Sequence, residues 1–187
     1  MSLFSTGKRR QFEKVAMPFY KSLFQAAYRL TRQREWAEDL LQETMIRAYE
    51  RFELFKPGTN CKGWLLTIMT RCYLNDLDKG RRRPLTTSFD AVGPDSKLWD
   101  FAAPEDSSNP VSIVMNQVID HQIETALDSL TEEFRIAVLL VDVEEISYQE
   151  AADALEIPIG TVRSRVFRGR MQIRQTLIKE LQDTELS

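Results

Sequence analysis

The 187-residue sequence predicts an all-α fold, two small helical domains joined by a flexible linker, the C-terminal one a helix-turn-helix. Three observations carry that expectation. Apolar residues recur at helical spacing on both sides of the chain's middle. Alternating β-branched runs are missing. Glycine and proline are scarce except in "PLTTSFDAVGPDSKLWDFAAPEDSSNP", residues 84–110, where prolines, serines and acids gather without any sustained period. The expected organisation is an N-terminal domain over 10–83, an acidic linker over 84–111 and a C-terminal domain over 112–187. A hydrophobic content of 43% is enough to give each domain a core.

Bulk properties also exclude classes. No apolar run approaches the ~20 residues of a membrane-spanning helix, so no membrane insertion is expected. The opening "MSLFSTGKRRQFEK" lacks the apolar segment of a secretory signal, which makes cytoplasmic the expected location. Cys61 and Cys72 cannot form a disulfide framework, and His121 is the single histidine, so neither a zinc cluster nor any cofactor is expected. With no nucleotide-binding glycine loop and no nucleophile and base pair, the chain does not read as an enzyme.

In the N-terminal domain, a helix from Ala37 to Phe52 has a core stripe of Leu40, Leu41, Met45, Ala48 and Phe52. Asp39, Gln42, Glu43 and Arg47 project polar groups from its other side. The loop "KPGTNCKG", residues 56–63, is too polar and turn-rich to extend either neighbouring helix. It offers Thr59, Asn60 and Lys62 as hydrogen-bonding groups. Trp64 follows at a helix start, where tryptophan is more often a core anchor than a contact residue. Farther along, Arg71 and Asn75 lie one turn apart, Cys72 is expected to be packed, and Lys79, Arg81, Arg82 and Arg83 make a cationic end.

The C-terminal domain carries the sharpest signal. Thr131 before Glu132 and Glu133 reads as an N-cap opening a helix through "FRIAVLLVDV". Ser147 with Glu150 three residues on is a capping box that starts "YQEAADAL", in which Ala151 and Ala152 permit a close helix crossing and Leu155 is a buried end. Pro158 stops that helix, and Thr161 is expected to cap the next. Short helix, tight turn and longer helix make a helix-turn-helix.

That last helix contains "GTVRSRVFRGR", four arginines within residues 160–170 of a chain whose net charge is -3. At about 100° per residue, Val162, Val166, Gly169, Ile173 and Leu177 share one face, expected to pack on the domain. Ser164, Phe167, Arg168 and Met171 fall opposite, flanked by Arg163, Arg174 and Gln175. A basic face that exposes a phenyl ring suits a DNA major groove, where arginine reads guanine and an apolar ring meets a thymine methyl. Arg165 and Arg170 lie on the flanks, where phosphate contacts are expected. The acidic remainder weakens non-specific DNA binding by the free chain.

"LTEEFRIAVLLVDVEEISYQEAADALEIPIGTVRSRVFRGRMQIR" resembles the promoter-reading domain of bacterial sigma factors of the extracytoplasmic-function type. "AEDLLQETMIRAYERF" and "GWLLTIMTRCYLNDLDKGRRR" resemble the polymerase-docking and promoter-opening segments of the same family. The resemblance covers residues 15–83 and 112–178. It implies that Asp39, Gln42, Glu43 and Arg47 contact core RNA polymerase. It further implies that Thr59, Asn60, Lys62, Trp64, Arg71, Asn75, Lys79, Arg81 and Arg82 meet a single-stranded minus-10 element with a flipped base. Arg163, Ser164, Arg165, Phe167, Arg168, Arg170, Met171 and Arg174 would then read duplex at minus-35, and the acidic linker would thread a polymerase channel. An anti-sigma partner is implied as well. "PGTNCKGWLL", "EEFRIAVLLVDVE" and "PIGTV" look closest to a subgroup answering thiol-oxidative stress through a zinc-containing anti-sigma. The alternative is a conventional helix-turn-helix regulator that binds duplex without polymerase, although nothing in the sequence offers a ligand pocket or dimerisation seam.

Overall fold

The computed structural model describes residues 3–82 and 125–185, and every regular element among them is helical. The expected linker lies outside the described residues, as do Arg83 and the first part of the C-terminal domain.

Four helices build the N-terminal domain: α1 (Leu3–Ala16), α2 (Tyr20–Thr31), α3 (Arg34–Glu50) and α4 (Cys61–Arg82). Helix α2 ends on Arg32, whose left-handed backbone (φ 61°) returns an N–H to the Tyr28 carbonyl. The chain reverses there, and α3 packs on both α2 and α4. Leu40, Leu41 and Ala48 are almost completely buried, and Met45 and Phe52 nearly so, so the expected stripe is the core. Helix α3 begins three residues earlier than Ala37, from an extended Gln33. Phe12 closes the bottom of the bundle with edge-to-face contacts to Tyr49 and Phe52.

In the C-terminal domain, helical residues 125–128 lead to α5 (Glu132–Val138), a π turn (Leu139–Val143), α6 (Tyr148–Leu155) and α7 (Ile159–Glu185). Both α5 and α6 pack on α7. The capping box forms as expected: Glu150 N donates to Ser147 Oγ at 3.1 Å and Ser147 N to Glu150 Oε2 at 2.8 Å. Thr131 is the N-cap of α5 but makes no side-chain bond there. Two expectations for α7 need correction. Thr161 does not cap it, because the helix opens two residues earlier and the Pro158 carbonyl takes the Thr161 and Val162 N–H groups. Leu177 is not a core residue: Val162, Val166 and Gly169 are buried and Ile173 is half-buried, but α7 has run past the domain's edge by Leu177, which is 48% exposed.

Gly169 sits where α7 crosses α5. A Cβ there would lie 2.6 Å from Val138 Cγ2, so a hydrogen is all that fits between the two helices. The π turn lets the Glu144 N–H reach back to the Leu139 carbonyl, and Glu145 then takes a left-handed conformation at φ 58°. Together they swing Glu144 out of the domain and towards its neighbour. Helix α6 lies against α4, so the two domains share a packed boundary that the sequence reading did not anticipate.

Candidate nucleic-acid interface

Helix α7 sorts its side chains as the period requires. Phe167 is 66% exposed and Met171 41%, on the side opposite buried Val162 and Val166, with Arg163, Ser164, Arg168 and Arg174 also exposed. Arg163, Arg168 and Arg174 have no ion-pair partner among the described residues. The flanking arginines differ. Arg170 forks onto Asp142, Nε to Oδ2 at 2.9 Å and Nη2 to Oδ1 at 2.5 Å, which raises its already high pKa further. Arg165 pairs with Glu133 at 3.1 Å. Both arginines therefore tie α7 to the domain and would have to share themselves with a phosphate.

On α3, Asp39 and Gln42 are exposed, and Glu43 pairs with Arg47 at 2.5 Å, one helical turn on. Between them stands Ile46, 60% exposed, with Leu54 at 75% beyond the helix end. Sequence reasoning missed Ile46. Its signal was available, since an isoleucine outside the core stripe and framed by polar residues has no core to enter.

The loop before α4 is shorter than expected, because α4 begins at Cys61 instead of after Gly63. Lys56, Pro57, Gly58 and Thr59 form a tight turn in which the Thr59 N–H and hydroxyl both reach the Lys56 carbonyl, and Gly58 takes φ +86°. Asn60 caps α4: its Oδ1 accepts from Gly63 N at 3.0 Å. Pro57, Gly58 and Thr59 help line a cavity of about 600 Å³, together with Lys8, Gln11 and the rings of Phe19, Phe52 and Phe55. Asn60 and Lys62 lie on the other side of the loop, against the C-terminal domain. Asn60 Nδ2 donates to Glu150 Oε1 at 2.9 Å, and Lys62 Nζ reaches Glu144 Oε2 at 3.0 Å. Burial pushes the Glu150 carboxyl up, but hydrogen bonds from Ser147 and Asn60 outweigh this and hold it below the usual value. The stability it confers is therefore present above the ordinary carboxylate range and is lost as pH falls through it.

Trp64 is half-buried against Phe55, with ring centroids 5.1 Å apart, which fits a core anchor better than a free stacking platform. Arg71 donates to the Asp153 carbonyl at 2.8 Å and pairs with Glu156 at 3.3 Å, whereas Asn75 is exposed and Lys79 is an exposed residue beside Asp76. Arg81 and Arg82 are helical; their side chains lie outside the described residues. Cys61 and Cys72 are buried free thiols, and burial pushes both away from the reactive thiolate. Among the described residues no group of metal-ligating side chains converges, and no helix is long and apolar enough to cross a membrane.

Two family descriptions match the chain, Sigma-70 region 2 over residues 16–83 and Sigma-70 region 4 over residues 120–173. The sigma factor SigE of Mycolicibacterium smegmatis, of the extracytoplasmic-function type, is 37% identical over 186 residues, covering 94% of this chain and 68% of that one. The chain belongs to this family. The sigma-E factor of Escherichia coli K12 is 31% identical over 135 residues, 72% of this sigma factor and 70% of its own length. Among solved structures, the fold resembles the sigma factor RpoE in complex with the anti-sigma factor NepR from Bartonella quintana, with TM-score 0.65 and 24% identity over 90% of this chain and 97% of that one. It also resembles CnrH in complex with the cytosolic domain of CnrY, with TM-score 0.61 and 19% identity over 93% and 92%. Two matched regions in this order set a generic helix-turn-helix regulator aside.

Proposed function

We propose that the chain binds core RNA polymerase through Asp39, Gln42, Glu43, Ile46 and Arg47 on α3, directs it to promoters with α7, and helps open the DNA with the loop and helix that begin at Pro57. The observation that carries this reading is α7 itself, whose unpaired Arg163 and Arg168 flank the exposed Phe167 on a face that the domain leaves uncovered. Arg168 would read a base edge, Ser164 would bond adaptably and Phe167 would meet a methyl group. Arg163, Arg165, Arg170 and Arg174 would hold the flanking phosphates.

Opening needs no chemistry, only binding energy that appears once a base leaves the stack. The cavity beside Thr59 is roomy enough for a base and is lined by Phe19, Phe52 and Phe55 together with Lys8, Gln11 and Thr59. Lys62, Arg71, Asn75 and the Lys79 to Arg82 end of α4 would carry the strand. The chain would act in the cytoplasm without catalysis of its own. Its regulator would be an anti-sigma protein of the zinc-containing kind, which the resemblance to the thiol-stress subgroup implies.

Mixing the chain with core RNA polymerase and sequencing the RNA starts tests the proposal: one dominant start motif is expected, and duplex binding without polymerase capture would refute it. Arg168→Ala should cost about 1–3 kcal/mol and relax preference at one or two minus-35 positions. Arg170→Ala should instead weaken all sequences alike and, because it also releases Asp142, lower the domain's melting temperature. Unchanged promoter preference in Arg168→Ala would place the reading face elsewhere.

Asn60 requires a comparison of two substitutions, since it both caps a helix and borders the strand path. Asn60→Ala removes the cap, at about 1 kcal/mol, together with any base contact. Asn60→Asp keeps the cap acceptor and removes the donor. Both should slow opening on duplex promoters more than on templates already mismatched at minus-10. If only Asn60→Ala did so, with a lower melting temperature, Asn60 would be a cap alone.

A further inference from the structure

We propose that Gln11 of α1 selects the base that leaves the minus-10 stack, its side-chain amide meeting the edge of that base inside the cavity beside Thr59. The inference rests on the reading of that cavity as the base pocket and adds a specificity-determining residue to it. Gln11 lies before residue 16, where the match to Sigma-70 region 2 begins, so the family pattern assigns it no role.

The polar side chains of the cavity differ in what they have left to offer. Lys8 Nζ is paired with Glu53 Oε1 at 3.1 Å and stands 5.3 Å from the centre of the Tyr49 ring. The Thr59 hydroxyl gives its proton to the Lys56 carbonyl at 2.7 Å and can only accept. Gln11, one helical turn beyond Lys8, is exposed and makes no side-chain hydrogen bond among the described residues. Among the lining side chains its amide alone keeps both a donor and an acceptor open. The charges of Lys8 and Glu53 cancel, and much of the remaining wall is Val15, Phe19, Phe52 and Phe55. Such a lining suits a flat neutral group better than a phosphate, which would meet the Glu53 carboxylate. A base is that group: it can lie against rings while an adjacent donor and acceptor on its edge bond to the amide.

Gln11 is also held in place. Phe12, the next residue, is buried and packs edge-to-face on Tyr49 and Phe52. Cys61 Sγ donates to the Val15 carbonyl at 3.6 Å, which ties the start of α4 to the end of α1. Helix α1 therefore cannot slide or roll without breaking the aromatic cluster, and Gln11 is fixed against the loop that carries Thr59. Fixed placement turns a pair of hydrogen bonds into selectivity, because a base of the wrong pattern leaves the amide unpaired.

The test uses the full chain assembled with core RNA polymerase on promoters that it transcribes. Each minus-10 position is varied through the four bases and, separately, made abasic on the non-template strand, and RNA yield is measured. The wild type should prefer one base at one position and lose yield when that position is abasic. Gln11→Met keeps the length of the side chain and removes the amide. It should lower the preference at that position about tenfold, the order expected for one bidentate pair. Preferences elsewhere and the melting temperature should stay as they are. On the promoter abasic at that position the variant and the wild type should be equal, since neither has a base edge to meet. Unchanged preference in Gln11→Met at every minus-10 position, or a uniform loss across all bases, would overturn the role of Gln11 while the abasic loss left the pocket standing. If no abasic promoter lost yield, the pocket itself would be refuted and the proposal with it.

Discussion

Reversing the charge at Asp39 and Glu43 together should leave a folded chain that core RNA polymerase no longer captures. Asp39 is exposed and Glu43 about one-third exposed, and neither reaches the hydrophobic core, so Asp39→Lys with Glu43→Lys should change the melting temperature little. The local consequence is the loss of the Glu43–Arg47 pair, an i,i+4 contact worth about 0.3–0.5 kcal/mol. At the interface the consequence is far larger, because like charges brought together against an unchanged partner cost several kcal/mol, or more than about a hundredfold in affinity. Ile46→Ala separates the apolar part of the same contact. Its side chain is 60% exposed in the free chain, so truncation should leave stability unchanged yet weaken capture by about tenfold if the face closes over it. Pull-down with core polymerase and binding of the full chain to a minus-35 duplex read the two domains independently. Normal capture by the folded double variant would remove α3 from the docking surface.

Local features of this fold were legible where one short-range rule decides them. Ser147 and Glu150 marked the start of α6, Pro158 its end, and a helical period was enough to place Phe167 and Arg168 opposite Val162 and Val166. The boundary between the domains was not legible, because its pairs join residues such as Asn60 and Glu150, 90 positions apart, and such contacts leave no periodic trace. For the same reason nothing in the polar loop 56–63 announced that Asn60 faces α6. The π turn at Leu139–Val143 was hidden too, since "AVLLVDV" has the composition of an ordinary buried helix. Leu177 was assigned to the core on period alone, and period does not say where a helix outruns the domain beneath it.

Gly169→Leu should unfold or loosen the C-terminal domain while polymerase capture through α3 continues. Even the Cβ of the new residue would meet Val138 Cγ2 at 2.6 Å and the Phe134 Cβ at 3.4 Å. Valine has little freedom to swing away, because its branched Cβ holds one rotamer in a helix. The remaining response is for α7 to lift from α5, which exposes Val138 and Val166, both nearly fully buried in the native packing. Overpacking of this kind costs about 1–3 kcal/mol and more where a backbone must move, against the few kcal/mol that hold a small helical domain together. The glycine's poor helix propensity, about 1 kcal/mol below alanine, is a penalty that substitution would relieve only if space allowed. Phe167→Ala, two residues away on the opposite face, provides the contrast: it should leave the melting temperature in place and lower minus-35 binding. Thermal unfolding and duplex binding measured on the full chain distinguish the two faces, and a Gly169→Leu chain that melted and bound like the wild type would show that α5 and α7 do not cross as closely as described.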